Sequence, residues 1–214
     1  MDGYQRDVHG AVAAHARLVA DLATLTDEQA AQPSLLPGWS IAHVLTHIAR
    51  NADSHVPMLE AANRGGVVAQ YPGGIDQRNA DIEAGVSRPA AALVADVVAS
   101  NARLEAAWAA MTPDGWAGQG LSVFGPVAVD DLAFRRWRET VVHQSDLGLS
   151  YTWRDWPADY VRLELARMTM LWASRRPMGL TTLPAEAMVL TDHERTAWLI
   201  GRTSVEGLAA AGIF

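Results

Sequence analysis

Glu139, His143 and Asp146 follow one another at steps of four and three residues in the stretch RETVVHQSDLG, residues 138–148. A helix turns by about 100° per residue, so the side chains of Glu139 and His143 share one face, one turn apart. Carboxylate oxygen and neutral imidazole nitrogen are the usual zinc ligands besides cysteine. The spacing therefore suits a metal site, although an ordinary hydrogen bond on a helix surface explains it equally well.

A third ligand could come from a second helix, which carries His43, His47 and His55. Catalytic zinc sites typically use three protein ligands and leave one position open, and His47 with Glu139 and His143 would make such a set. A histidine flanked by apolar residues, as His47 is, is however more commonly a hydrogen-bonded core residue. Spacing also does not choose between His43 and His47, because they lie one turn apart on the same helix.

Polar residues beside the Glu-His pair could support such a site. Asp146 could accept the second ring proton of a ligand histidine and fix its tautomer. We favour a simpler interpretation, in which Asp146 is a helix-end residue shortly before a glycine. The arginines Arg135, Arg136 and Arg138 could hold a carboxylate substrate through their planar donors, but such a run is more often solvated surface.

The charge of the chain points to a small-molecule partner. Its 214 residues carry 24 acidic and 17 basic side chains, which give a formal net charge of -7. We therefore expect neither general binding to nucleic acid nor attraction to an anionic membrane. The eight tryptophans are expected mostly in the core, with Trp39 nearest a pocket because it stands where a loop meets a helix.

Cysteine is absent, which excludes disulfides, thiolate zinc ligands and a sulfur nucleophile within the protein. Any sulfur chemistry would need a thiol as cosubstrate. The start MDGYQRDVHG lacks the basic and apolar regions of a secretory signal, and no apolar run is long enough to span a membrane. We therefore expect a cytoplasmic protein.

Four helices with apolar residues at steps of three and four would position these side chains. They are predicted at residues 7–25, 40–62, 88–111 and 129–149, with a glycine-rich loop at 63–77, a short helix after it and an extended segment at 118–126. A fifth helix is predicted at 158–175, and the stretches GLTTL, AMVLT and TAWLI then predict two or three short strands. The fold class is thus mainly α: an up-and-down four-helix bundle with a small C-terminal α+β appendage. The predicted domains are a metal-binding bundle, residues 1–155, and an α+β region, residues 156–214.

Three stretches, LLPGWSIAHVLTHIARNA, RNADIEAG and RRWRETVVHQSDLG, together resemble the mycothiol-dependent maleylpyruvate isomerase family, part of the DinB-like group of metal-binding helical bundles. The resemblance covers about residues 5–175. It implies that a divalent metal, usually zinc, is held by His47, Glu139 and His143, with His43 as a partner that does not bind the metal. It also implies that Arg78 lies near the pocket mouth, as a candidate for contact with a substrate carboxylate. From its position where a loop meets a helix, Trp39 is the second candidate for binding cosubstrate or substrate.

The resemblance implies an enzyme that uses mycothiol for cis–trans isomerisation by thiolate addition to a small electrophile. The alternatives are a mycothiol S-transferase acting on an electrophilic small molecule and a metal-binding module without turnover. Members of the family typically finish with a helix leading to a Gly-Arg pair, whereas this sequence stops at Phe214. Arg202 precedes the glycine of VEG instead of following it, so we do not transfer the role. A site of two histidines and one glutamate also suits nickel, iron or cobalt.

Overall fold

A computed structural model describes residues 3–175 and 181–212 and shows a mainly helical protein. The helices are α1 Gly3–Asp21, α2 Asp27–Ala30, α3 Ile41–Asn63, α4 Gly74–Glu83, α5 Ala90–Ala109, α6 Pro113–Trp116, α7 Asp131–Asp146, α8 Ala158–Ser174, α9 Ala185–Met188 and α10 Asp192–Leu199, with a 3-10 turn at Trp153–Asp155. The predicted mainly α fold with a four-helix bundle is confirmed. No helix among the described residues combines the length and the apolarity needed to cross a bilayer.

The four long helices α1, α3, α5 and α7 form the bundle, in which α3 packs mainly against α5 and α1 against α7. Side-chain pairs between them give their directions. They are His15–Arg136 and Asp21–Gln144 for α1 with α7, Arg50–Asp96 and Asn63–Ala110 for α3 with α5, and His47–His143 and Asn51–Arg136 for α3 with α7. Thus α1 and α7 are parallel, α3 and α5 are parallel, and the two pairs run in opposite directions.

This up-down-down-up order differs from the alternating order that the sequence predicted. The connection between α3 and α5 is long and contains α4, which lies beside the first half of α3 through Arg78 and His47. The chain therefore returns to the end of the bundle where α3 began before α5 starts. The bundle interior between α1, α3 and α5 is apolar, built around Leu18, Leu45 and Val97.

The segment predicted to be extended at 118–126 forms an antiparallel hairpin of β1 Gln119–Ser122 and β2 Gly125–Ala128. This hairpin also holds the glycine-rich loop between α3 and α4, because the amide of Gln70 donates to the carbonyl of Leu121 at 2.8 Å. The same loop is tied to α3 by the side chain of Gln70, whose amide donates to the hydroxyl of Ser54 at 3.1 Å. The loop after α3 is therefore fixed to the bundle at two points.

The chain divides into two compact units, residues 1–150 and 151–214. A division of function between them stays a prediction. Within the described residues of the second unit the expected strands do not form: AMVLT begins inside α9 and TAWLI lies within and just after α10, while GLTTL lies partly outside the described residues. Helix α10 forms because Thr191 caps it by accepting from the amide of Glu194, with Asp192 also in the acidic first turn.

Candidate metal centre

Three side chains from α3 and α7 bring their ligand atoms together. The Nε2 atom of His47 lies 3.0 Å from Oε2 of Glu139 and 3.1 Å from Nε2 of His143, and the last two atoms are 3.3 Å apart. Two ligands at zinc bond lengths in a tetrahedron are about 3.3 Å apart. The three atoms thus have nearly the spacing of one face of a zinc tetrahedron. Among the described residues, His47, Glu139 and His143 form the group of histidine and acidic side chains whose ligand atoms lie close enough together to hold a metal ion.

The two helices place these atoms by simple geometry. Glu139 and His143 lie one turn apart on α7 and therefore point in the same direction. His47 faces them from the antiparallel helix α3, where it is 4% exposed. Because both helices are long and packed into the bundle, the ligand set is largely preformed.

The charges of the three groups follow from their surroundings. Burial lowers the pKa of His47 to about 4, and its hydrogen bond with Glu139 offsets this only in part. Burial would raise the pKa of Glu139, but hydrogen bonds from His143 and His47 hold it well below its usual value. Burial would likewise lower the pKa of His143, yet hydrogen bonds with Asp146 and Glu139 raise it to about 9. Without an ion, the site at neutral pH thus contains a carboxylate, a neutral imidazole and an imidazolium.

Asp146 is the last residue of α7, as we expected, but it also orients His143 from outside the ligand set, a role that we had not favoured. Its carboxylate accepts from Nδ1 of His143 at 2.8 Å, and the residue is 2% exposed. A histidine whose Nδ1 proton is bound to a carboxylate presents Nε2 as its ligand atom. Spacing did not reveal this role because it carries no information on burial.

Arg78 and Trp39 both lie beside His47. Atom Nη2 of Arg78 is 3.1 Å from Nδ1 of His47, and the guanidinium lies 5.8 Å from the ring centroid of Trp39. The rings of Trp39 and His47 meet edge to face, with centroids 5.6 Å apart. The structure therefore brings a cation and an indole to one side of the three ligand atoms.

His43 and His55 lie outside the ligand set. The ring of His43 caps its own helix, with Nδ1 accepting from the amide of Ser40 at 3.1 Å and lying 2.7 Å from that residue's hydroxyl. Ser40 in turn accepts from the amide of His43, so the two residues cap the helix start reciprocally. His55 is buried two turns beyond His47, and burial lowers its pKa to about 3. The structure thus shows that His47, and not His43, lies with Glu139 and His143, a choice that sequence spacing could not make.

Arg136 is fully buried. For this arginine, both the substrate-binding and the solvated-surface interpretation were therefore wrong. It donates to Nε2 of His15, to the carbonyl of Ile48 and to the side-chain oxygens of Asn51 and Asn101, at 2.7–3.0 Å. These partners stand on α1, α3 and α5. Arg135, by contrast, is a half-exposed residue paired with Asp131 at 2.8 Å. The missed signal was the position of Arg136 four residues from Leu132 and Thr140, on the buried stripe of α7.

Tyr71 is a second residue that the sequence did not single out. It belongs to the YPGG stretch of the glycine-rich loop between α3 and α4. Burial raises the pKa of Tyr71, while hydrogen bonds with Ser54 and Arg78 oppose this. The loop thus supplies a phenol next to the guanidinium of Arg78.

In the second unit, Arg202 donates to the carbonyl of Ile200 at 3.0 Å.

Comparison with known proteins adds an independent finding. The sequence profile of the mycothiol maleylpyruvate isomerase N-terminal domain matches residues 11–148. A crystal structure of a histidine-to-alanine mutant of the mycothiol-dependent maleylpyruvate isomerase is similar to this chain, with 27% identity, a TM-score of 0.75, and coverage of 81% of this chain and 72% of that one. A second crystal structure of the mycothiol-dependent maleylpyruvate isomerase shares the fold at 23% identity, with a TM-score of 0.82 over 94% of this chain and 90% of that one. No curated protein matches the sequence.

Proposed function

Because the chain belongs to the family of the mycothiol maleylpyruvate isomerase N-terminal domain, whose profile matches most of its length, we propose that it is a mycothiol-dependent isomerase of a maleylpyruvate-like keto acid. We further propose that it works with a divalent metal, zinc in the first instance, bound by His47, Glu139 and His143. The observation that carries the proposal is the spacing of 3.0–3.3 Å among the three ligand atoms.

The ligand set suits zinc in kind as well as in spacing. Two neutral imidazoles and one carboxylate form a three-ligand site of the type found in zinc enzymes. Zinc held by these residues, with its fourth position open, would supply Lewis acidity and so lower the pKa of a thiol. The chain has no cysteine, so the thiol comes from a cosubstrate. Mycothiol would fill that role.

Arg78 gains a second use once His47 acts as a ligand. An arginine can only donate, so its present contact requires Nδ1 of His47 to lack a proton. When Nε2 of a neutral His47 serves as the ligand atom, the ring proton must reside on Nδ1. Arg78 then loses its acceptor there, and its guanidinium is available for a carboxylate of the substrate.

The isomerisation itself needs no net proton or electron transfer. The thiolate sulfur forms a bond to one carbon of the cis double bond, and the π electrons move onto the conjugated keto oxygen. Rotation about the resulting single bond follows, after which the electrons return, the carbon–sulfur bond breaks and the trans acid leaves. The protein's part is to hold both reactants in place, with Arg78 on a carboxylate and Trp39 beside the reacting groups.

The test is to incubate the zinc-loaded protein with mycothiol and maleylpyruvate and to follow both fumarylpyruvate and any stable thiol adduct. We expect fumarylpyruvate, formed only when mycothiol is present. A stable adduct without fumarylpyruvate would instead indicate an S-transferase. The absence of both products would contradict both enzyme assignments.

Zinc analysis of two variants checks the ligand assignment. We expect His47→Ala to lose zinc and His43→Ala, one turn away on the same helix, to retain it. Equal zinc in both variants would remove His47 from the ligand set.

A further inference from the structure

The loop before α3, residues 31–40, lines an open cavity of about 530 Å³ together with His43. Its walls are mainly apolar and include Pro33, Leu35, Leu36 and Pro37. The volume is within the range of small-molecule binding sites, about 300–1,000 Å³. Nothing in the isomerisation as described above uses this space.

The loop 31–40 contacts both histidines of the candidate metal centre, directly or through one residue. Trp39 lines the cavity and also meets the ring of His47 edge to face, at 5.6 Å between centroids. On the other side, the amide of Leu35 donates to the carbonyl of Asp146 at 2.9 Å, and Asp146 holds His143. Trp39 is therefore common to the wall of the cavity and to the surroundings of His47.

Hydrogen bonds within the loop 31–40 hold the cavity in shape. The amide and the hydroxyl of Ser34 both donate to the carbonyl of Trp39, each at 2.8 Å. The amide of Ile41 donates to the carbonyl of Gln32 at 3.0 Å, which closes the base of the loop. A preformed cavity costs a ligand little reorganisation of the protein.

The chemistry of the lining selects an uncharged ligand. None of the described residues that line the cavity is acidic, lysine or arginine; the polar groups are Ser34, Ser40 and His43. Apolar walls, an indole and a few hydroxyls suit a sugar-like ring, which has apolar faces and a rim of hydroxyl groups. A dianionic keto acid would find no cation among these lining residues, whereas the guanidinium of Arg78 lies 5.8 Å from the ring centroid of Trp39.

We propose that this cavity binds the uncharged polyol part of the thiol cosubstrate, the amino-sugar and inositol rings of mycothiol. The inference rests on the proposed function. The cysteinyl arm of the thiol would pass Trp39 and place its sulfur at the metal centre, while the keto acid binds toward Arg78. Both reactants would then contact the indole ring of Trp39.

Calorimetric titration of the zinc-loaded protein with mycothiol tests the proposal. The variant Ala31→Trp fills the cavity from an exposed position just after α2, where the backbone is helical and tolerates any side chain. Val12→Trp is the matched control, because Val12 is 36% exposed and lines a separate cavity between α1 and α5. N-acetylcysteine serves as a second ligand that has the thiol arm but no rings. Thermal melting verifies that each variant folds, and Leu35→Trp, at a side chain 70% exposed, is the second cavity-filling variant.

We expect the Kd for mycothiol to rise about tenfold in Ala31→Trp and to stay unchanged in Val12→Trp, with no change for N-acetylcysteine in either. An unchanged mycothiol affinity, an equal loss for both thiols, or a wild-type protein that does not bind mycothiol would overturn the proposal. Binding and turnover are separate readouts. A protein that binds mycothiol with the expected pattern but forms no fumarylpyruvate would contradict the proposed function alone.

Discussion

At the scale of single residues, the metal centre depends on how His143 is turned. Its ring could present either nitrogen to an ion, and the hydrogen bond to Asp146 removes that choice. The carboxylate also makes the imidazole a stronger base and a stronger ligand. Asp146 is itself held in a buried position at the end of α7.

We predict that Asp146→Asn weakens zinc binding by about tenfold or more, because an amide keeps the acceptor but loses the negative charge. The dissociation constant can be measured by competition with a coloured chelator at pH 7.5. Asp131→Asn is the control, since this partly exposed acid lies in the first turn of the same helix and pairs with Arg135. A loss of the same size in both variants would mean that general charge, and not the bond to His143, explains the effect.

The sequence predicted part of this site from residue types alone. The step of four between Glu139 and His143 indicates a shared face on any helix, and the structure has both on one face of α7. The choice of His47 over His43 needed the family resemblance, because a helix offers both at one turn's distance. Asp146 and Arg136 were misjudged because their roles depend on burial, which is set by the packing of four helices and not by local spacing.

At the scale of elements, one guanidinium connects the bundle. Arg136 of α7 donates to acceptors on α1, α3 and α5, so all four long helices meet at this side chain. Of its partners on α3, Ile48 directly follows His47 and Asn51 lies one turn beyond it, while Arg136 itself lies one turn before Glu139. The same hydrogen bonds that satisfy the buried charge therefore fix the register of α3 against α7, and with it the meeting of His47 and Glu139.

We predict that Arg136→Met destabilises the protein by about 3 kcal/mol or more, because several buried acceptors lose their donor at once. Arg135→Met is the matched control at the neighbouring position. Its ion pair with Asp131 is partly exposed, and pairs of this kind contribute less than about 1 kcal/mol. Urea unfolding of the two variants gives the comparison, and equal free energies of unfolding would contradict the structural role of Arg136.

The elements were predictable to different degrees. The long helices follow from apolar residues at steps of three and four, and α3 begins at Ser40 as its capping residue indicates. The strands expected at AMVLT and TAWLI were wrong, because a short apolar run such as TAWLI fits a buried helix as well as a strand. The order of helix directions was missed because the length of a connection does not say at which end of the bundle it finishes.

At the scale of the whole molecule, buried neutral histidines link stability to pH. Burial, assisted by the charge of Arg136, lowers the pKa of His15 to about 2, and burial likewise lowers that of His55 to about 3. An unfolded chain protonates histidine near pH 6.5. Below that pH the unfolded state binds protons that the folded state does not, so the free energy of unfolding falls as the pH falls.

We predict that His15→Gln makes the protein less sensitive to acid. Each buried histidine should lower the free energy of unfolding by about 2 kcal/mol between pH 7 and pH 5. Over the same interval, the free energy of unfolding should therefore fall by about 2 kcal/mol less in His15→Gln than in the wild type. Glutamine can still accept from Arg136 and donate to Glu105, the two groups that face His15 from α7 and α5. Urea unfolding with a chelator present keeps zinc release out of the comparison. His9→Gln, an exposed histidine of the same helix, should behave as the wild type does, and a His15→Gln variant with the full acid sensitivity would show that His15 is not held neutral in the fold.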